Sequence, residues 1–152
     1  MNHKERIPIF IKLVNWSKLL QRWGNPITEN ELHNLYDLNK IIKYWKQYPE
    51  LRIGQMLINL GVIDIKDQYK QNKIWYDNEQ SILLDQGINP IDFLLWTSLF
   101  DKEGNRLKSP KTQLLKDLST DHLQNIMIKL KIPTLYKKTI IKELVDRKKN
   151  SV

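Results

Sequence analysis

Glycine and proline divide this chain into short pieces. Gly24-Asn25-Pro26, Pro49, Gly61, Gly87, Asn89-Pro90 and Pro133 interrupt every run of helical periodicity. Proline lacks an amide donor and clashes with the preceding turn, while glycine takes the left-handed backbone that ends helices. A chain punctuated in this way can form short helices packed on one another, and long rods are excluded. The expected class is mainly α: a single helical domain over residues 1–152, with a small β-hairpin near residues 96–116. No internal repeat, low-complexity tract or linker divides it.

Between those breaks the apolar spacing is helical. Phe10, Leu13, Val14, Trp16, Leu19, Leu20 and Trp23 recur mostly every three or four positions, so residues 7–22 are expected as one helix with a wide buried face. Thr28 with Glu31 forms a capping box, in which hydroxyl and carboxylate each satisfy an orphan amide. The helix it opens should carry Leu32, Leu35, Leu38, Ile41, Ile42 and Trp45 inward until Pro49. Ile53, Met56, Leu57 and Leu60 make a short helix closed by Gly61. Residues 62–76 fit no single pattern, with Val62 to Ile65 a brief strand as one option. Asp77 and Gln80 form a second capping box before a helix over Ser81 to Gln86.

Asn89-Pro90 is a helix-start signal. Ile91 to Phe100 is nearly all apolar, and is read as helix turning to extended chain near Trp96-Thr97. Asp101 to Asn105 is a turn, with Gln113-Leu114-Leu115 returning as a second strand. Ser119 or Thr120 caps a helix with Leu123, Ile126, Met127 and Leu130 on one face. After Ile132-Pro133, Thr134 opens a last helix expected to turn Leu135, Ile141, Leu144 and Val145 inward.

Composition narrows the function classes. An apolar content of 41% with five Trp, six Tyr and three Phe is that of a chain with a core. The absence of cysteine excludes disulfides, thiolate metal sites and thiol catalysis, and fits a reducing compartment. The longest apolar run, Ile7 to Val14, is too short to span a bilayer and lacks a cleavage site after it. No membrane association is expected, and the location is taken as the cytoplasm. Charge is lopsided: of a formal net +8, residues 129–152 hold eight Lys/Arg against Glu143 and Asp146. This basic helix pair over 120–149 is the feature that points to an acidic or phosphate-bearing partner.

Two segments resemble known proteins. Pro49-Glu50-Leu51-Arg52-Ile53-Gly54-Gln55-Met56-Leu57-Ile58-Asn59 resembles a "P-x-L-R-x-G-Q-x-L-x-N" stretch in small uncharacterised proteins of tailed bacteriophages and prophages. Asp101 to Leu107 and Leu118 to Leu123 resemble the "D-x-x-G-N-x-L … L-x-T-x-H-L" pattern of the same class, with Tyr136 and Glu143-Leu144-Val145-Asp146-Arg147 matching its ending. The matches lie after residue 40 and cover about half the chain. The resemblance implies a phage or prophage origin and an accessory role in the host cytoplasm or the virion. It transfers no catalytic residue.

No catalytic constellation is legible, so the expectation is a non-enzyme without metal or cofactor. His3, His33 and His122 lack ligand spacing from one another. Asp64-x-x-Asp67 falls short of the converging oxygens a hard cation needs. The serines lack a nucleophile elbow. Arg52 is unusual, because a cation in the first turn of a helix meets the positive end of the macrodipole. A pair with Glu50 or Asp85 is the structural explanation, and a partner contact shared with Gln55 is the functional one. Trp75 and Tyr76, in a polar stretch, are candidates for exposed stacking. The first functional expectation is binding of a host or phage protein. The alternatives are DNA or RNA binding through Lys137, Lys138, Lys142, Arg147, Lys148 and Lys149, and a minor virion component. Symmetric assembly in light scattering would mark the last.

Overall fold

The computed structural model describes residues 3–128 and 131–150. It is mainly α, with nine α-helices and one two-stranded antiparallel sheet among the described residues. No described helix is long and apolar enough to cross a membrane. Where the sequence suggests one domain, contacts group the chain into two compact units, residues 2–88 and 89–152.

In the first unit, the single helix expected over 7–22 is two: α1 (His3–Leu13) and α2 (Trp16–Arg22). Asn15 splits them. Its side chain caps α2 by accepting the Lys18 amide at 3.2 Å. Its backbone N–H donates to Gln86 Oε1 at 2.8 Å, and its carbonyl accepts from Gln86 Nε2 at 3.1 Å. Thr28 caps α3 (Glu29–Leu35) as expected, accepting the Glu31 amide at 3.1 Å. That helix does not run on to Pro49. Tyr36 is extended, and Asp37 caps a separate α4 (Leu38–Gln47). Leu35 consequently points to solvent while Leu32, Ile41 and Trp45 are buried. Trp45 meets Phe10 edge-on at 5.0 Å and donates its indole N–H to the Leu51 carbonyl at 2.7 Å.

Helix α5 (Ile53–Asn59) buries Ile53, Met56 and Leu57 and ends at Gly61, whose φ of +73° is the left-handed cap. Val62 and Ile63 are buried without forming a strand. The segment left open by the sequence holds α6 (Gln68–Trp75), capped by Asp67 through the amides of Tyr69 and Lys70. α5 and α6 touch backbone to backbone, since a Cβ on Gly54 would lie 2.0 Å from the Ile74 carbonyl oxygen. The second capping box does not form: Asn78, one residue on, caps α7 (Glu79–Asp85) by its side chain alone, accepting from the Gln80 and Ser81 amides. Asp77 is employed elsewhere. Its carboxylate accepts from Arg22 Nε and Nη2 at 2.8 and 2.9 Å and from the buried Trp23 indole at 2.6 Å.

In the second unit, Asn89-Pro90 starts only a single 3-10 turn, and extended chain follows sooner than expected. β1 (Leu95–Phe100) pairs with β2 (Arg106–Leu114), and Leu115 begins another 3-10 turn rather than ending the strand. The ladder is regular from Leu95–Leu114 to Ser98–Lys111 and then jumps to Phe100–Arg106. Two steps along β1 thus match five along β2. The extra residues include Pro110, which has no amide for a ladder and is tolerated at such a bulge. Ser119 caps α8 (Thr120–Ile128), accepting the His122 amide at 3.1 Å. The last helix is α9 (Thr134–Asn150). Phe93, Leu94, Leu114, Leu115, Leu118, Leu123, Ile126 and Ile140 form this unit's core.

Candidate partner-binding surface

The face that α9 turns inward differs from the one expected. Ile140 and Thr139 are buried, whereas Ile141 and Val145 are 50% and 47% exposed. Leu135 and Leu144 are half-buried, Met127 is half-buried, and Leu130 lies outside the described residues. Helix orientation is fixed by polar side chains at a matching three-and-four spacing. The Tyr136 hydroxyl donates to the Leu95 carbonyl at 2.7 Å, and its ring meets Trp96 at 6.4 Å. Thr139 donates to the carbonyl one turn back, that of Leu135. Arg147 pairs with Glu143 at 2.9 Å and donates to the carbonyls of Leu118 and Lys116 at 2.8 and 3.0 Å.

Arg147 therefore leaves the candidate phosphate set. Its guanidinium closes the turn before α8, because three hydrogen bonds to fixed acceptors use most of its donor fork. Arg147→Ala should lower the melting temperature by several degrees, through about 2–3 kcal/mol of lost charge-assisted bonds. Lys142→Gln should leave it unchanged, and a thermal melt of both variants checks the distinction.

The other candidate cations on α9 are placed as a contact surface requires. Lys137, Lys138, Lys142, Lys148 and Lys149 are all exposed. At about 100° per residue, Lys137 and Lys148 lie on one side of the Ile141–Val145 pair, and Lys138, Lys149 and Lys142 lie on the other. The result is an aliphatic stripe between two rows of ammonium groups. It is bordered by a groove of about 410 Å³ lined by Thr120, Gln124, Leu144, Val145, Arg147 and Lys148. A second groove of about 190 Å³ runs past Lys138 and Lys142 to Pro90 and Ile91.

In the first unit the candidate residues separate. Arg52 occupies the N-cap of α5 and is exposed, and Gln55 Oε1 accepts its backbone N–H at 3.1 Å. Neither expected carboxylate pairs with it. Glu50 stands on the same cleft outside ion-pair range, while Asp85 pairs with Arg22. The cleft is polar, about 440 Å³, and is lined further by Arg6, Asn78, Glu79 and Gln80. Trp75 is half-buried and Tyr76 is 66% exposed at the end of α6, and neither lines that cleft. Of the histidines with described side chains, His33 is exposed and His122 lies 3.5 Å from the Ser98 hydroxyl.

The sequence reading missed Ile141 and Val145 as surface residues. Ile140-Ile141 and Leu144-Val145 are each two adjacent aliphatics, so periodicity alone admits either as the inner member. The discriminating signal was polar: Tyr136, Glu143 and Arg147 share the stripe of Ile140, and those side chains need partners within the fold. No family model, curated protein or solved structure matches this chain.

Proposed function

We propose that this chain is a non-catalytic accessory protein of the kind phages encode, acting by binding a host or phage protein through the outer face of α9. The observation that supports it is the exposed Ile141–Val145 pair lying between exposed lysines. Aliphatic side chains one turn apart gain by being covered, at about 25 cal/mol per Å² of apolar area removed from water. A partner segment with a central apolar ridge and flanking carboxylates would cover the pair and meet the lysines on both sides. Phosphates would engage the lysines alone and leave the aliphatic stripe wet.

The test uses a short labelled peptide with leucines on one helical face and glutamates on its flanks, set beside a short DNA duplex. The wild-type protein should bind the peptide. Ile141→Gln with Val145→Gln should weaken it at least about tenfold, as expected of central apolar contacts, without changing the melting temperature. The opposite pattern would replace this reading with nucleic-acid binding by α9. In that pattern the duplex binds, the aliphatic substitutions are silent, and Lys137→Gln, Lys138→Gln and Lys142→Gln together flatten the log–log salt slope by about two to three units.

A further inference from the structure

The distal half of the β1–β2 hairpin has no role in the fold or in the surface just described. From Leu99 to Lys111 every residue except Leu107 is exposed. Leu99 and Phe100 are 48% and 58% exposed, which is unusual for large apolar side chains on a strand. Four cations lie in the same exposed segment: Lys102, Arg106, Lys108 and Lys111. Two acids lie in the same segment, Asp101 and Glu103. Asp101 is occupied in shaping the turn, accepting the amides of Glu103 at 3.0 Å and Asn105 at 2.8 Å. From Arg106 to Lys111 the strand carries three cations and no acid. Across the ladder, Phe100 stands directly opposite Arg106.

We infer that this hairpin is a nucleic-acid-binding arm, in which the cations track phosphates and Phe100 stacks on an unpaired base. An aromatic ring stacks on any base because every base has a π-face, and a guanidinium opposite it adds a second planar group. This distinguishes the hairpin from α9, whose apolar pair is aliphatic and offers bases no ring. The base of the arm is anchored within its own unit: Thr97 and Thr112 share a hydroxyl hydrogen bond of 2.8 Å, and Leu115 donates its amide to the Leu94 carbonyl at 2.9 Å. The irregular stretch of β2 holds Lys108 outside the paired register without breaking the ladder, while Lys111 stays paired with Ser98 at its edge. The inference is independent of α9, so one protein would carry a protein-binding helix and a nucleic-acid-binding arm on one unit.

Fluorescence anisotropy of the full chain tests it, with a labelled oligothymidylate strand and a blunt duplex as probes at low salt. The single strand should bind more tightly than the duplex. Phe100→Ala should weaken the strand at least about fivefold and leave the salt slope in place. Replacing Lys102, Arg106, Lys108 and Lys111 with Gln should lower that slope by about two to three units. The Ile141→Gln, Val145→Gln protein should bind the strand like wild type. If Phe100→Ala alters the thermal melt, Phe100→Leu keeps the bulk without the ring and should show the same loss. Absence of strand binding at micromolar protein overturns the inference, as does binding unchanged by both sets of substitutions. Binding to phosphatidylserine vesicles that these substitutions abolish, with the oligonucleotides unaffected, would overturn it in favour of a lipid surface.

Discussion

Gly54→Ala should be the most damaging single methyl addition in this protein. The added carbon would lie 2.0 Å from the Ile74 carbonyl oxygen and 2.8 Å from its carbon, and both are backbone atoms that no rotamer change can move. α5 and α6 would have to separate, exposing Ile53, Met56, Leu57 and Ile74, which are all fully buried. Overpacking against backbone costs on the order of 3 kcal/mol or more, a large part of the stability of a small domain. A drop of more than about 10 °C in Tm is expected. Gly61→Ala is the control. That position has a φ of +73° but open space around it, so only left-handed strain of about 1–2 kcal/mol applies. Equal melting of the two variants would contradict the close approach of α5 to α6.

Asp77 should dominate the acid sensitivity of the first unit. Burial by itself would raise its carboxyl pKa. The hydrogen bonds from Arg22 and Trp23, together with the Arg22 charge, outweigh burial and hold it below the ordinary value of 3.8. A depressed folded-state pKa contributes stability that is complete above the unfolded pKa, and that is lost as pH falls from there through the lower folded value. Wild-type protein should therefore lose stability steeply below about pH 4. Asp77→Asn should start less stable at neutral pH and lose less on acidification. Asp77→Ala strands the Arg22 guanidinium and the Trp23 indole N–H, at a cost of about 2–4 kcal/mol. Urea midpoints measured from pH 7 down to pH 3 would show both effects. Parallel curves for wild type and Asp77→Asn would disprove the assignment.

Much of the fold was legible because it is written in short-range chemistry. The Thr28 cap, Gly61, Gly87 and the turn at Asp101 to Asn105 act over a few residues, and each holds where it was expected. Of the Thr28–Glu31 box, only the hydroxyl half is formed. Breaks with no glycine or proline were not legible. α1 and α2 share a continuous apolar rhythm, and the cut at Asn15 is held by Gln86, seventy-one positions away. Asp37 and Asn78 were equally hidden, because Asx residues cap or solvate with the same local sequence. Asp77 mimicked a cap while bonding Arg22 and Trp23, a pairing visible only in three dimensions. The α9 surface was half legible. Its lysines were identified, but which aliphatics they frame depends on where Tyr136 and Arg147 find acceptors.

The clamp between Asn15 and Gln86 has a consequence for biosynthesis. Arg6 pairs with Glu79 at 3.6 Å and Arg22 with Asp77, so three separate ties join the first two helices to α7 and the residues flanking it. Ribosomes release the amino-terminal helices first, and these partners follow only when synthesis reaches residues 77–86. At a synthesis rate of about 5–20 residues per second, several seconds pass during which Phe10, Leu19, Leu20 and Trp23 have no finished pocket. The nascent chain can collapse in that interval, but its native register must wait for Gln86 to emerge. Codon choice or chaperone access across the stretch between these ties would therefore affect yield more than the same change near the carboxyl end.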